Sequence, residues 1–256
     1  MDAKKKIIGI AVAVIGVSIL GGGVFMWRAN FFSSGIDSGN ENTDVVNTLP
    51  PAPEGYQELY KDETITAKLP EDFRKKYEEA FGETLKVLEE HPDSFIAWMD
   101  LGSIKSMFGD YKGAEEAWLY ATAISKNQGR SLMNLGDLYW NKLKDYPKAE
   151  WAYRSVFERE GTSGERLPAY RDLAILYHNS YTEKHHLAVP LLRDGIEQAQ
   201  LDDDKAELLA LAGLWSWEDK NLDDAIYFYE EFLKIRSDNE EARKDLERIR
   251  QEKAGL

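Results

Sequence analysis

One short phrase that the chain repeats constrains its fold more than any other feature. Ala97-Trp98-Met99-Asp100-Leu101-Gly102 recurs as Ser131-Leu132-Met133-Asn134-Leu135-Gly136 and again as Ala169-Tyr170-Arg171-Asp172-Leu173-Ala174. A weaker fourth copy ends at Gly213, so the closing small residue returns at intervals of 34, 38 and 39 residues. Periods of this size belong to arrays in which each unit buries its apolar face on the next. From Pro70 onward the periodicity is helical throughout, with no alternating strand pattern.

A second phrase follows each copy. It reads Gly109-Asp110-Tyr111, Ala114, Trp118, Ala121 in the first and Asp145-Tyr146, Ala149, Tyr153, Val156 in the second. The third has Ala188, Leu192 and Gly195, and the fourth Leu222, Ala225, Tyr229 and Phe232. A small residue at Gly102, Gly136, Ala174 and Gly213 lets two helices of one hairpin approach closely, and Ala114, Ala149, Ala188 and Ala225 do the same from the partner helix. The aromatics Trp98, Trp118, Tyr139, Tyr153, Tyr170, Tyr177 and Tyr229 then fill the space between hairpins.

This pattern resembles the tetratricopeptide repeat, with its W-x2-L-G-x2-Y phrase followed by an alanine and an aromatic. The likeness covers about residues 93–238, in copies at 93–127, 128–162, 166–200 and 204–238. Lys105 stands where the first copy should have its tyrosine, and loops of later copies carry extra residues. The resemblance implies an all-α solenoid of helical hairpins. Residues 70–92 read as an N-terminal packing helix, with Pro70-Glu71-Asp72 opening it, Phe73, Tyr77, Ala80, Phe81, Leu85 and Leu88 on one face, and Pro92 closing it. Residues 239–256 read as a charged capping helix with a narrow stripe of Ala242, Leu246 and Ile249.

Ahead of the repeats, Ile7 to Trp27 contains no charged residue. At 1.5 Å per residue this stretch spans about 32 Å, enough for a single transmembrane helix. Lys4, Lys5 and Lys6 precede it and only Arg28 follows, which holds residues 1–6 in the cytoplasm and sends the remainder outward. Val24-Phe25-Met26-Trp27-Arg28 offers no small-x-small cleavage site, so the segment reads as an anchor of a cytoplasmic (inner) membrane and not as a cleaved signal. Residues 28–69 read as a flexible linker. Its portion 33–55 is too rich in Ser, Gly, Asn and Pro to bury much surface. Tyr56–Leu69 reads either as the end of that linker or as a short packed arm.

The formal charge is −14 over 256 residues. Lys4, Lys5 and Lys6 against Asp2 give residues 1–27 a charge of +2, which leaves −16 for residues 28–256. A body this acidic excludes nucleic acid as a partner. The absence of cysteine excludes disulfides, thiolate catalysis and Cys-ligated zinc. His178 with Glu183-Lys184-His185-His186 is read as a polar loop and not a metal site, because no further ligand stands at a fixed spacing. Asp202-Asp203-Asp204 lacks the alternation of a calcium loop. No phosphate loop, G-x-S-x-G or H-E-x-x-H is present. No cofactor, metal or small-molecule substrate is expected, and the chain is read as no enzyme.

A surface remains. In tetratricopeptide proteins the first helix of each hairpin lines a concave groove that holds a peptide or a partner helix. The residues at matching positions are Met99, Ser103 and Met107; Arg130, Met133, Asp137, Trp140 and Asn141; and Arg171, Ile175, His178 and Asn179. Some family members clamp a terminal carboxylate, but Met99, Ser103 and Asp172 replace residues that clamp needs, and only Arg130 and Asn134 match. The expected function is a membrane-anchored scaffold or adaptor for protein partners in envelope, secretion or pilus-like assembly of a bacterial type of cell. The alternatives are a permanent subunit of a membrane complex or a regulator of a cell-wall enzyme. The groove holds either a partner or the chain's own terminal helix or linker.

Overall fold

Caps and apolar spacing set the helix boundaries. A computed structural model describes residues 49–159 and 163–255, and among them finds eleven α-helices and no strand. Residues 1–6, expected in the cytoplasm, the apolar segment 7–27 and the part of the expected linker up to residue 48 lie outside the described residues. No described helix is long and apolar enough to cross a membrane. The described residues divide into two compact units, one reaching Leu191 and one beginning at Leu192.

The first unit opens with an arm. Residues 50–62 are irregular, and α1 (Glu63–Thr66) is a single turn capped by Asp62, which accepts from the N–H groups of Thr64 and Ile65. Then comes α2 (Glu71–Glu90), with Glu71 and Asp72 in its first turn where the helix dipole favours them. It buries Phe81, Thr84 and Leu88. The segment 49–69, assigned to the linker by its composition, is laid against the hairpin α3 (Phe95–Met107) and α4 (Tyr111–Ile124). Tyr120 donates to the carbonyl of Pro50 at 3.1 Å, and the Asp62 N–H donates to that of Phe108 at 2.9 Å. Tyr56 packs on Trp98 with ring centroids 5.0 Å apart. Of the two readings of Tyr56–Leu69, the packed arm is the one observed.

The hairpin contact is set by glycine. In α3 a Cβ added at Gly102 would run into the Trp118 ring of α4. In α5 (Arg130–Leu138) one added at Gly136 would lie 2.5 Å from Tyr153 Cε1 of α6 (Tyr146–Glu158). Both rings are buried, so the absent methyl is what allows the helices to close. Ala114, Ala117, Ala149 and Ala152 are buried on the facing helices. The second unit repeats the device. There a Cβ at Gly213 of α9 (Asp202–Glu218) would lie 2.9 Å from Tyr229 of α10 (Leu222–Ile235).

Each of these hairpins turns alike. A residue in the left-handed region, Gly109 (φ 85°), Lys144 (φ 55°) or Lys220 (φ 63°), immediately precedes an N-cap. The caps Asp110, Asp145 and Asn221 accept from the N–H three residues on, at 3.0, 3.1 and 3.4 Å. The Asp110 N–H donates to Lys105 and that of Asn221 to Ser216, each five residues back. In the second hairpin the Asp145 N–H reaches six back, to Tyr139. The extra residue is taken up by a π-helical turn, Tyr139–Leu143.

Adjacent copies are joined by polar tips on otherwise apolar side chains. Tyr139 donates to Glu115 at 2.6 Å, and Lys148 donates to the same oxygen at 3.1 Å. One copy on, Tyr177 of α7 (Ser163–Asn179) donates to Glu150 at 2.7 Å. Arg154 and Lys184 pair with that carboxylate as well. Burial, followed by the hydrogen bond to Glu150, pushes the Tyr177 hydroxyl up to about 12. Burial opposes ionisation of Glu150, but its bonds from Lys184, Tyr177 and Arg154 outweigh this and hold the carboxyl below its usual range. At the first copy both partners change together. Lys105 replaces the tyrosine, and Phe81 of α2 stands 34 residues before Glu115, with the ammonium 5.7 Å from its ring. Helix α2 therefore occupies the place of a preceding copy's second helix.

Helix α8 (Ala188–Gln198) runs across the division between the units, after a 3-10 turn at Thr182–Leu187. In the second unit α11 (Glu240–Ala254) starts at the Asn239 cap and buries Ala242, Leu246 and Ile249 against a charged outer face. Trp217 and Lys220 both donate to Glu252, and Arg250 donates to Glu230, tying that helix to the last hairpin.

Candidate interaction surface

In α3, α5 and α7 the side buried in the hairpin takes Trp98, Leu101, Leu132, Leu135, Leu173 and Tyr177. The residues assigned to the groove lie at other positions on the same helices and are unequal. Met99 is buried, with 7% of its surface exposed, and its carbonyl accepts from Trp118 and Ser103. Ser103, Met107 and Met133 are half-buried, while Arg130, Asp137 and Asn141 are exposed. Arg171, Ile175 and His178 are half-buried, and Asn179 is exposed.

Trp140 sits within the π turn. Its indole N–H donates to Ser180 at 2.9 Å, which fixes the ring between the second copy and the end of α7. It is a wall and not a free side chain. Asp137 accepts from the Tyr153 hydroxyl at 2.7 Å, and Arg171 donates to Asp172 at 2.8 Å. Burial first, then the neighbouring Asp137 and Asp172, raise the Tyr153 hydroxyl well above its usual value. The polar residues of the surface are thus braced from beneath. Its partly accessible apolar side chains are Met107, Met133, Ile175 and the fastened Trp140, with Arg130 exposed nearby.

His178 and His185 face each other with ring centroids 4.7 Å apart, and His185 Nδ1 meets the His178 carbonyl at 3.1 Å. Among the described residues no group of three or more His, Asp or Glu side chains is placed to hold a metal ion.

Two features escape a sequence reading. The first is Asp100, one residue after Met99. Burial pushes its carboxyl up to about 6. A carboxyl raised from 3.8 stabilises the fold while it is protonated, and that contribution is lost as pH rises from about 4 through 6. Asp100→Asn should therefore raise the melting temperature at pH 7.5, by an amount worth on the order of 1 kcal/mol given the partial exposure of the group. The gain should vanish near pH 4, as read by thermal denaturation at both pH values. An equal gain at both would mean that the charge is not the cause. The second is an open recess of about 530 Å³ between α4 and α6, where Leu119 and Trp151 stand beside Lys126 and Arg159. Trp151 is 48% exposed. Its only mark in the sequence is that it falls outside the Ala149, Tyr153 and Val156 stripe.

No family model matches the chain, and no curated protein matches it.

Proposed function

We propose that the chain is a tetratricopeptide-type scaffold, tethered by its segment 7–27 to a cytoplasmic membrane, that binds a protein partner outside the cytoplasm along the first helices of its hairpins. One observation supports this reading above the others. The hairpin contacts consume one side of α3, α5 and α7. Off that side the same helices carry Met107, Met133 and Ile175 half-exposed, with Arg130 and Asn141 open beside them. Methionine adapts its shape to a partner, and arginine is favoured where a surface is desolvated on binding. The outward placement rests on the lysine excess before Ile7. A partner in envelope, secretion or pilus-like assembly suits a body held on a tether, and reversible, salt-sensitive binding distinguishes an adaptor from a permanent subunit.

The test is a membrane-impermeant amine crosslinker applied to intact cells. The wild-type chain is expected to yield one defined adduct, and Arg130→Glu with Met133→Ser to lose it while stability changes by less than about 1 kcal/mol. If the adduct forms only with a permeant reagent, the outward placement fails. If the variant keeps the same adduct, the groove is not the contact surface.

A further inference from the structure

We infer that residues 50–66 form a strap that peels from the first hairpin as one unit, ahead of any repeat, and so lengthens the reach of everything that precedes it. The argument begins with an asymmetry. No residue from 50 to 66 is fully buried, and Tyr60 is 62% exposed. The side chains under the strap are among the most buried in the molecule: Trp98, Phe108 and Lys105 have 1%, 0% and 2% of their surface exposed. The strap is thus a thin cover that contributes little apolar surface of its own. A segment with few buried apolar contacts opens at lower free energy than the core it lies on.

Its attachments are few and separately placed. The Pro50 carbonyl accepts from Tyr120, Tyr56 packs on Trp98, and the Glu58 carbonyl accepts from Lys105. Lys61 lies over the Phe108 ring and pairs with Glu78 of α2 at 2.8 Å, where both side chains are nearly half exposed. The Asp62 N–H donates to Phe108, and Asp62 with Ile65 fills the space above Gly109. Between Pro50 and Asp62 no backbone ladder joins the strap to the hairpin. The contacts therefore have no regular element through which they could open one by one and re-form.

The covered edge has a meaning within the array. Position 105 is the one through which later copies, at Tyr139 and Tyr177, reach the second helix of the copy before. Helix α2 supplies that second helix for the first copy, while the strap covers the part of the edge that α2 leaves. Helix α2 has buried contacts of its own at Phe81, Thr84 and Leu88, so release of the strap parts it from the exposed Lys61–Glu78 pair without uncovering those residues. Release frees seventeen residues of chain, which when extended span about 55–60 Å. The chain before residue 49 would then join the body at α2 and no longer beside Tyr120.

The test is hydrogen exchange with mass spectrometry on the full chain in detergent micelles, for the wild type, Tyr56→Ala and Ile65→Ala. Both substitutions lie in the strap and leave Trp98, Lys105 and Gly109 intact. In the wild type, the Asp62 amide is expected to exchange at least tenfold faster than the interior amides of α3 and α4, yet slower than an unprotected amide. Each variant should accelerate exchange across 50–66 about tenfold without changing α5 or α7. A common rate for the strap, α3 and α4 in all three proteins would overturn the proposal, since the strap would then be part of the hairpin. Unprotected exchange of 50–66 in the wild type would overturn it as well, and so would variants that leave the strap's rate unchanged.

Discussion

Gly136→Leu should lower the melting temperature of the full chain by roughly 5 °C, although leucine is the better helix former. A Cβ at Gly136 meets Tyr153 Cε1 at 2.5 Å, and that ring cannot swing aside. It is fully buried, and its hydroxyl is held by Asp137. Forcing a larger side chain into a packed contact costs about 1–3 kcal/mol or more, against less than about 1 kcal/mol gained in helix propensity. Gly82 gives the control. It lies inside α2 with nothing within 4 Å of an added Cβ, so Gly82→Ala should raise stability by about 0.5–1 kcal/mol. Circular dichroism melts of both variants decide the matter. Two glycines that respond with the same sign would mean that the close approach at Gly136 is not what fixes the residue.

Lys105→Met is expected to cost about 3 kcal/mol or more. The ammonium is 2.9 Å from Asp110, and both groups are largely withdrawn from water. Removing one partner of a buried pair leaves the other charge uncompensated, and that penalty exceeds what the pair contributes when intact. Asp110→Asn in the same chain should restore part of the loss, because an asparagine oxygen can still accept from the Gly113 N–H as the cap does now. Chemical denaturation of the single and double variants measures both effects. A single variant as stable as the wild type would show that Lys105 is held by its methylene stem alone.

These two sites mark what one sequence reveals and what it withholds. Gly102, Gly136 and Gly213 are legible because a close approach tolerates one residue type, and the type returns with the period. The sequence even carries a counterpart: Gly102, Gly136 and Gly213 go with Trp118, Tyr153 and Tyr229, while the third copy has Ala174 with Leu192. The tips of the core aromatics are another matter. Hydropathy counts Tyr139 and Tyr177 as filling, and nothing local indicates that Glu115 and Glu150, 24 and 27 residues away, receive their hydroxyls. Lys105 reads as a departure from the pattern until Phe81 is seen beneath it. The strap was legible only as one of two readings of Tyr56–Leu69, and not at all over residues 50–55, for a related reason. Its composition is that of a linker because its own residues bury little, and its order comes from the hairpin under it.

For the candidate surface, spacing assigns each residue a position on its helix but not the accessibility of its side chain. Met99 and Trp140 belong to the groove by spacing, yet one is buried and the other is fastened to Ser180. A periodic pattern gives the angle at which a side chain leaves its helix, not what a neighbouring copy places over it.

The π turn at Tyr139–Leu143 has a consequence for how such a chain can change length. The added residue sits on the near side of Lys144, so the left-handed step, the Asp145 cap and everything after them keep the geometry of the shorter hairpin. An insertion there is absorbed within one helical turn and is not passed on to the packing of Gly136 on Tyr153. The hairpin end acts as an expansion joint, where residues can be gained or lost while the seams on either side stay closed.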